Sequence, residues 1–251
     1  MNREIRIVGI QGIPEVTPGS DLVTLVQESC RRQRLKIQDG DILVITQKVV
    51  SKSEGRLVRL AETTPSRLAE RFGREAGKDP RSIEVVLSEA RRIVKMDRGV
   101  LIAETNHGLV CAQAGVDASN IPYLDTVALL PENPDRSAAK IKRTFQKRLN
   151  VKVAVIISDT FGRPWREGLT NVAIGIDGMV PLVDYQGQKD PQGRPLTATI
   201  IAAADELAAA AELVMGKLDR VPVALIRGYA YKAGRGKAKD LIRAPEKDLF
   251  R

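Results

Sequence analysis

The sequence predicts an α+β (mixed α/β) protein with mostly antiparallel sheets and flanking helices. Short apolar runs typical of strands, such as Ile42–Thr46, occur between segments with helical periodicity. Strands and helices do not alternate strictly along the chain, which disfavours a wholly parallel sheet. The turn Asp97-Arg98-Gly99 separates two short β segments. We expect residues 1–251 to form a single domain, with two intertwined subdomains as the alternative.

The first fifty residues predict a strand, a helix and a second strand. The first strand covers about Arg6–Ile10. Ser20-Asp21 is a good helix cap, and the apolar spacing after it predicts an amphipathic helix to about Arg32. The turn signal Asp39-Gly40-Asp41 then precedes the buried strand Ile42–Thr46.

Two capped helices and a β region are predicted next. Thr64-Pro65 and Asp79-Pro80 each place a cap residue before a proline at the first helical position. They predict helices at about 65–76 and 80–91. Runs of strand-forming residues then predict three short strands: Ile93–Met96, Val100–Ala103 and Leu109–Ala112.

The second half of the chain mixes helices and strands. The Pro-rich segment Leu129–Pro134 predicts a loop, Ser137–Leu149 a basic helix and the alanine-rich run Ala203–Met215 another helix. After Gly228 we expect a loop and a short terminal helix. The predicted strands are Val151–Ile157, Asn171–Ile176, one near Leu196–Ile201, and Val221–Ile226.

Composition narrows the possible functions. No apolar run reaches the roughly 20 residues of a membrane helix, and the start MNREIRIVGIQG lacks the apolar core of a signal peptide. We therefore expect a cytoplasmic protein without a membrane partner. Cys30 and Cys111 are expected to be reduced core thiols. The single histidine, His107, disfavours zinc sites and Ser–His–Asp catalysis, so a metal would be Mg²⁺ or Mn²⁺ on oxygen ligands.

The net charge is +9, with a pI of about 9.7, which raises the question of nucleic-acid binding. The basic residues are scattered, however, and aromatic residues make up only 4%. We expect no nucleic-acid partner, since attraction of small polyanions fits the charge equally well.

The first candidate segment is Gln47–Arg56, directly after a predicted buried strand. Lys48, Lys52 and Arg56 would share one face of a helix, or could converge on an anion from a loop. Ligands often bind beyond the ends of buried strands. The alternative is a solvated basic surface.

The second candidate segment is Gln113–Asn120, whose small residues would allow backbone to approach a ligand closely. Asp117 offers a metal-binding carboxylate and Asn120 a ligand-reading amide. The alternative is a simple turn stabilised by these side chains.

The third candidate segment is Ser158–Gly168. A strand that ends in Asp159-Thr160, followed by a turn at Gly162 that presents Arg163 and Arg166, has the ingredients of a metal–phosphate site. The alternative is a salt-bridged loop. The P-loop pattern does not occur in the sequence, so a nucleotide would be held in another way.

Six blocks in a fixed order resemble the coenzyme F420-0:L-glutamate ligase (gamma-glutamyl ligase) family, from about residue 6 to about residue 230. They are GIP, DGDILVITQKVVSKSEGR, AGVDASN, ISDTFGRPWREG, ADELAAAAELVMGK and VPVALIRG. SKSEGR, AGVDASN and SDTFGR are specific when they occur together. The chain resembles the stand-alone form, without the nitroreductase-like domain of some bacterial relatives.

This resemblance implies a fold unlike the Mur and folylpolyglutamate ligases. It implies γ-linked addition of L-glutamate to the F420-0 precursor, with F420-1 as a further acceptor. GTP would be consumed through an acyl phosphate to give GDP and phosphate. Mg²⁺ or Mn²⁺ would be needed, K⁺ would stimulate, and the protein would be a homodimer. The alternatives are a ligase of this fold for another carboxylate and a non-catalytic nucleotide- or RNA-binding protein.

The resemblance also implies roles for individual residues. Asp117 and Asp159 match metal-binding aspartates, with Thr160 beside the second. Lys52, Arg163 and Arg166 are the expected catalytic cations. Glu15-Val16 and Gln47-Lys48 depart from the family's apolar and small hydroxyl pairs, and Lys217 stands where an acidic residue follows the glycine. The expected nucleotide-binding residues are Ile13, Pro14, Glu15, Val16, Gln47, Lys48, Lys52, Asn120, Met215 and Gly216.

Overall fold

The structure is a computed structural model that describes residues 4–248. Met1–Arg3 and residues 249–251 lie outside the described residues, so the prediction for the chain start is tested only from Glu4 onward. The described chain is a mixed α+β fold with several antiparallel sheets and flanking helices, which confirms the predicted fold class. None of the helices within residues 4–248 is long and apolar enough to cross a membrane.

The helices and strands alternate irregularly along the chain. In order, they are β1 (Arg6–Gly9), α1 (Leu22–Arg32), β2 (Ile42–Thr46), α2 (Gln47–Ser53), β3 (Leu57–Arg59), α3 (Arg67–Ala76), α4 (Pro80–Glu89), β4 (Ala90–Asp97), β5 (Val100–Thr105), β6 (Val110–Ala112), β7 (Thr126–Ala128), α5 (Pro134–Leu149), β8 (Ala154–Arg163), β9 (Arg166–Met179), β10 (Val183–Asp184), β11 (Ile200–Ile201), α6 (Ala203–Met215), β12 (Val223–Arg227) and β13 (Ala233–Gly234).

The main sheet has six strands in the order β1-β12-β2-β8-β9-β13. β2 runs parallel to β8, and the other neighbouring pairs are antiparallel. Helices cover both faces of β2, which accounts for its uninterrupted apolar sequence. The parallel pair sets the position of the site. β2 ends at Thr46, and Thr46 lies directly beside Ser158, the last residue of β8 that pairs with β2.

Each face of the main sheet packs against its own hydrophobic core. On one face α1 and α5 contribute Val26, Cys30 and Phe145. On the other face α6 packs Ala208 and Ala211 against the strands. The alanines allow the helix to lie close to the sheet, so a side chain at the end of α6 can reach the strand ends.

A smaller unit precedes the segment that contains Asp117. Strands β4, β5 and β6 form an antiparallel sheet against α3 and α4, around a core that includes Phe72, Ile83 and Leu101. β3 pairs with β7, and β10 pairs with β11.

Several predicted boundaries were wrong. α3 starts later than expected, because Ser66 and not Thr64 caps it by accepting a hydrogen bond from the Ala69 amide. α5 starts earlier, at Pro134, because the Asn133 side chain caps it through the Arg136 amide. Four strands were not predicted: β3, β7, β10 and β13.

Candidate functional site

A cavity of about 640 Å³ opens where β2 and β8 stop pairing. β12 runs antiparallel to β2, so the residues just before it, Val221 and Pro222, reach the same edge. β1 runs antiparallel to β12, so the loop that follows β1 arrives there as well. The topology of the main sheet therefore brings four distant chain segments to one place.

Most of the predicted site residues line this cavity. Met215 is an exception: it ends α6 fully buried in the core beside the cavity. The predicted residues in the wall are Ile13, Pro14, Glu15, Val16, Gln47, Lys48, Lys52, Asn120, Gly216, Asp117, Asp159 and Thr160.

Arg163 and Arg166 are not among the residues that line the cavity within the described chain. β8 does not end at Asp159, as predicted, because β9 continues to pair with it as far as Arg163. The turn of this hairpin is therefore at Pro164-Trp165 and not at Gly162. The Arg163 guanidinium donates to the backbone carbonyls of Glu167 and Gly168. Both arginines thus lie at the outer end of a long hairpin, beyond the cavity.

The segment after β2 forms the helix α2, which decides between the two arrangements that the sequence left open. Lys48 and Lys52, one turn apart, both face the cavity. The Lys52 ammonium is buried and lies 2.5 Å from a carboxylate oxygen of the exposed Glu15. Arg56 lies beyond the helix and points elsewhere, to Glu89 and the Leu130 carbonyl.

Asp117 lies in the cavity wall opposite α2. Its backbone pairs with Ala128, and its side chain accepts hydrogen bonds from the Lys48 ammonium and from the Ser119 amide and hydroxyl. Burial raises the pKa of this carboxyl, but the hydrogen bonds from Lys48 and Ser119 outweigh burial and the net pKa is lowered. Burial lowers the pKa of Lys48, against the opposing effect of Asp117. Asp117 is therefore ionised and paired.

Asp159 is partly buried and makes no ion pair within residues 4–248. Burial raises its pKa to about 6, a hydrogen bond from the Thr160 amide lowers it, and the charge of Asp117 raises it. Lys48 and Lys217 reduce the shift through their positive charges. Asp159 is thus the carboxylate in the cavity with the greatest need of a cation.

Part of the cavity wall has the oxygen ligands of a divalent metal site. Within residues 4–248, no three acidic, histidine or cysteine side chains are close enough to form a complete metal site. Mg²⁺, however, is often held by only one or two carboxylates, with water and substrate phosphates as the other ligands. Asp117, Asp159 and the Thr160 hydroxyl provide the oxygen ligands such an ion requires, and the unpaired Asp159 provides the charge. The residues therefore fit Mg²⁺ or Mn²⁺.

The sequence analysis missed Asn171 and Glu212, which line the same cavity. The Thr160 hydroxyl donates to Asn171 Oδ1 at 2.8 Å, and Asn171 Nδ2 donates to Glu212 Oε2 at 2.8 Å. One signal was available: Glu212 interrupts the apolar face of α6, between Ala208 and Met215 at helical spacing. Asn171 gave no such signal, because its partners depend on strand register.

Fold and cavity together define an α+β protein with a mixed-charge cavity for small polar substrates, built without a P-loop. The family model of F420-0:gamma-glutamyl ligase matches residues 10–228. The chain therefore belongs to the F420-0:gamma-glutamyl ligase family, as the resemblance indicated.

Named relatives match over nearly their full length, and each is a coenzyme F420:L-glutamate ligase. The one from Methanothermobacter thermautotrophicus is 44% identical over 98% of this chain and 99% of its own. The one from Methanocaldococcus jannaschii is 42% identical over 99% and 98%. The one from Methanopyrus kandleri is 46% identical over 94% of each chain.

Proposed function

We propose that the protein is a coenzyme F420-0:L-glutamate ligase. It joins L-glutamate to F420-0, and further to F420-1, at the expense of GTP, with GDP and phosphate as products. Family membership over residues 10–228 and the names of relatives at 42–46% identity support the ligase activity. GTP, the metal ion and the acyl phosphate are the finer parts of the proposal.

One observation carries the finer parts: a single cavity contains Asp117 and Asp159 together with Lys48 and Lys52. Phosphoryl transfer to a carboxylate brings several negative charges together, and preorganised cations lower that electrostatic barrier. A cavity with two lysines and two metal-binding carboxylates fits this need. The negative charge of Asp159, which no cation of residues 4–248 pairs with, would attract the metal ion to this place.

Each part of the wall then has a role. Lys48 and Lys52 bind the phosphates, and Lys52 can leave the exposed Glu15 to do so. Asp117, Asp159 and Thr160 would hold Mg²⁺ or Mn²⁺, which when bound neutralises phosphoryl oxygens. K⁺ is an activating ion whose position we do not assign. The other nucleotide-binding residues are Ile13, Pro14, Glu15, Val16, Gln47, Asn120 and Gly216, with Met215 as buried support.

The chemistry needs no protein nucleophile. The acceptor carboxylate attacks the γ-phosphorus of GTP, and GDP leaves. The amine of glutamate then attacks the acyl carbon, phosphate leaves, and the nitrogen loses its extra proton as the amide forms. The lysines stabilise the charge during both steps from inside the cavity. Arg163 and Arg166 lie outside the wall of this cavity, so the lysines carry this role within it.

We also propose a homodimer that forms through the β8–β9 hairpin. Among residues 4–248, no third strand pairs with this hairpin between Ser158 and its tip, and the hairpin exposes large apolar side chains. Trp165 is 80% exposed and Leu169 is 67% exposed. A second copy of the chain is the partner that would cover this surface. A Leu169→Glu variant should shift the molecular mass measured by light scattering from that of a dimer to that of a monomer.

The decisive experiment is direct. The purified protein is incubated with F420-0, L-glutamate, GTP and Mn²⁺, and the products are read by mass spectrometry as a ladder of glutamate additions. Wild type should give at least one addition, and Asp117→Asn should give none. No addition by wild type would refute the ligase. Metal-independent binding to RNA that weakens steeply with salt would favour the non-catalytic alternative.

A further inference from the structure

The α6 side of the cavity has a polar wall in which only Thr160 has so far been given a role, as a candidate metal ligand. Ser158 and Thr160 lie two residues apart on β8, so they face the same side of the strand. Asn171 pairs with Thr160 in the β8–β9 register, and Glu212 reaches the same wall from α6. Asp159 alternates to the opposite side, towards Lys48 and Asp117.

Glu212 is held in place by a buried amide. Asn171 is 2% exposed, and it connects the Thr160 hydroxyl to the Glu212 carboxylate through two hydrogen bonds of 2.8 Å. Glu212 forms no ion pair with a lysine or arginine of the described chain, residues 4–248. A carboxylate that a buried amide orients into a cavity, without a cation from the protein, is suited to binding a cationic ligand group.

Ser158 provides a second, independent observation. Its side chain is 1% exposed, and its Oγ has no hydrogen-bond partner among residues 4–248, yet the residue lines the cavity. Buried hydroxyls nearly always have a partner, so an orphaned one at a cavity wall indicates a ligand that completes it. Ser158 lies on the same side of β8 as Thr160, in the wall that contains Glu212.

We propose that Glu212 and Ser158 bind the α-ammonium group of the amino-acid substrate, with Asn171 as a positioning residue. This inference rests on the proposed ligase function and adds the place where the amine is held before it attacks. A primary ammonium has three N–H donors, and this wall offers the Glu212 carboxylate and the Ser158 hydroxyl as acceptors. Lys217 and Arg220 line the same cavity and provide positive charge for the two carboxylates of glutamate.

The test is the effect of Glu212→Gln on steady-state kinetics. Glutamine can still accept the hydrogen bond from Asn171, but it lacks the negative charge of glutamate. The KM for L-glutamate should therefore rise about tenfold or more, while the KM for GTP should rise far less. Glu206→Gln on the exposed side of the same helix is the matched control and should leave both constants unchanged. Glu212→Asp should restore part of the affinity for glutamate.

A partial reaction separates amine binding from carboxylate activation. Hydroxylamine is neutral at pH 7.5, so it does not need an ammonium subsite in order to react. It traps an acyl phosphate as a hydroxamate. Glu212→Gln should therefore lose at least tenfold more activity in glutamate addition than in hydroxamate formation. Asn171→Ala should show the same bias to a smaller degree. If Glu212→Gln does not fold, Ser158→Ala tests the same wall, with an expected rise in the KM for glutamate of about threefold to tenfold.

The outcomes distinguish this inference from the function on which it rests. If wild type adds no glutamate, the proposed function fails. If wild type is active and Glu212→Gln leaves the KM for glutamate unchanged, only the ammonium subsite is wrong. A variant that changes the activation constant for Mn²⁺ or K⁺ instead would identify the wall as a metal-ion site and would also overturn the inference.

Discussion

The ammonium of Lys48 donates a hydrogen bond to Oδ2 of Asp117, while Asp159, in the same cavity, forms no ion pair within residues 4–248. The two candidate metal ligands therefore differ in charge compensation. Lys48 also donates to the Ser119 carbonyl at 2.6 Å and to the Ser119 hydroxyl at 2.9 Å, which fixes its position. A divalent cation that bound both aspartates would have to compete with this ammonium for Asp117.

Replacement of Lys48 by glutamine should therefore separate metal binding from nucleotide binding. Without the ammonium, no cation among residues 4–248 compensates the charge of Asp117, and Mn²⁺ should bind the nucleotide-free protein more tightly, by roughly tenfold. The KM for GTP should rise, because one phosphate-binding cation is lost. Mn²⁺ affinity can be measured by electron paramagnetic resonance.

The control for Lys48→Gln is a variant that removes a positive charge outside the cavity. Lys147→Gln removes a positive charge from the exposed last turn of α5. It should leave Mn²⁺ affinity and the KM for GTP unchanged, since exposed charges are screened over such distances. If Lys48→Gln bound Mn²⁺ no better than Lys147→Gln, Asp117 would not be a metal ligand.

Asp159→Asn should stabilise the metal-free protein while it abolishes activity. Burial raises the pKa of Asp159 to about 6, so at pH 7.5 the fold carries an ionised carboxylate at a cost in free energy. The neutral amide removes that cost, and the free energy of unfolding in the presence of EDTA should increase by about 1–3 kcal/mol. Urea denaturation measures this change. A less stable variant would show that Asp159 is compensated in the fold.

Much of the fold was predictable because local signals determine it. The core strand β2 and the alanine-rich α6 have the predicted bounds, since their apolar patterns leave few alternatives. β3 and β7 were missed because each has three residues and depends on its pairing with the other. The length of the β8–β9 hairpin was also missed, since beyond Ser158 its strands are held by each other and not by an apolar pattern.

The site was predictable where residue type alone carries the chemistry. Asp117 and Asp159 could be named as carboxylates beside predicted strands, and the cavity contains both. The turn that presents Arg163 and Arg166 was predicted at Gly162, but it lies at Pro164-Trp165, so both arginines are further from the cavity than expected. Glu212 was missed because a helical carboxylate is usually solvated. Its place on the apolar face of α6 was the available signal, and its hydrogen bond with Asn171, 41 residues away in sequence, distinguishes it in the structure.

The packing of β9 against the start of α5 depends on Gly175. A Cβ atom there would lie 2.5 Å from the backbone carbonyl carbon of Pro134 and 2.6 Å from its oxygen. Backbone cannot yield as a flexible side chain can, so Gly175→Ala should destabilise the protein by about 2–4 kcal/mol. Gly162→Ala is the matched control on the same hairpin, because the nearest atom is 4.0 Å away. Equal melting temperatures for the two variants would contradict this packing.

The ion pair between Asp21 and Arg148 joins α1 to the end of α5, with 2.6 Å between the carboxylate and guanidinium. The hydrogen bond from Arg148 lowers the pKa of Asp21 from 3.8 to about 2. A carboxyl with a lowered pKa stabilises the fold above its ordinary pKa, and this contribution disappears as the pH falls from about 4 to 2. Both side chains are more than a third exposed, so solvent screening limits the contribution to about 1 kcal/mol or less.

Asp21→Asn tests this pair without removing the helix cap, because asparagine caps helices as well as aspartate does. The variant should lose up to about 1 kcal/mol of unfolding free energy at pH 7, less in high salt, and almost nothing at pH 2. Denaturation with urea at both pH values measures the difference. Asp21 has no second ion-pair partner among residues 4–248, so Arg148→Gln should lose a similar amount of unfolding free energy. The double variant should lose no more than either single variant. Additive losses would mean that the two residues stabilise the protein independently.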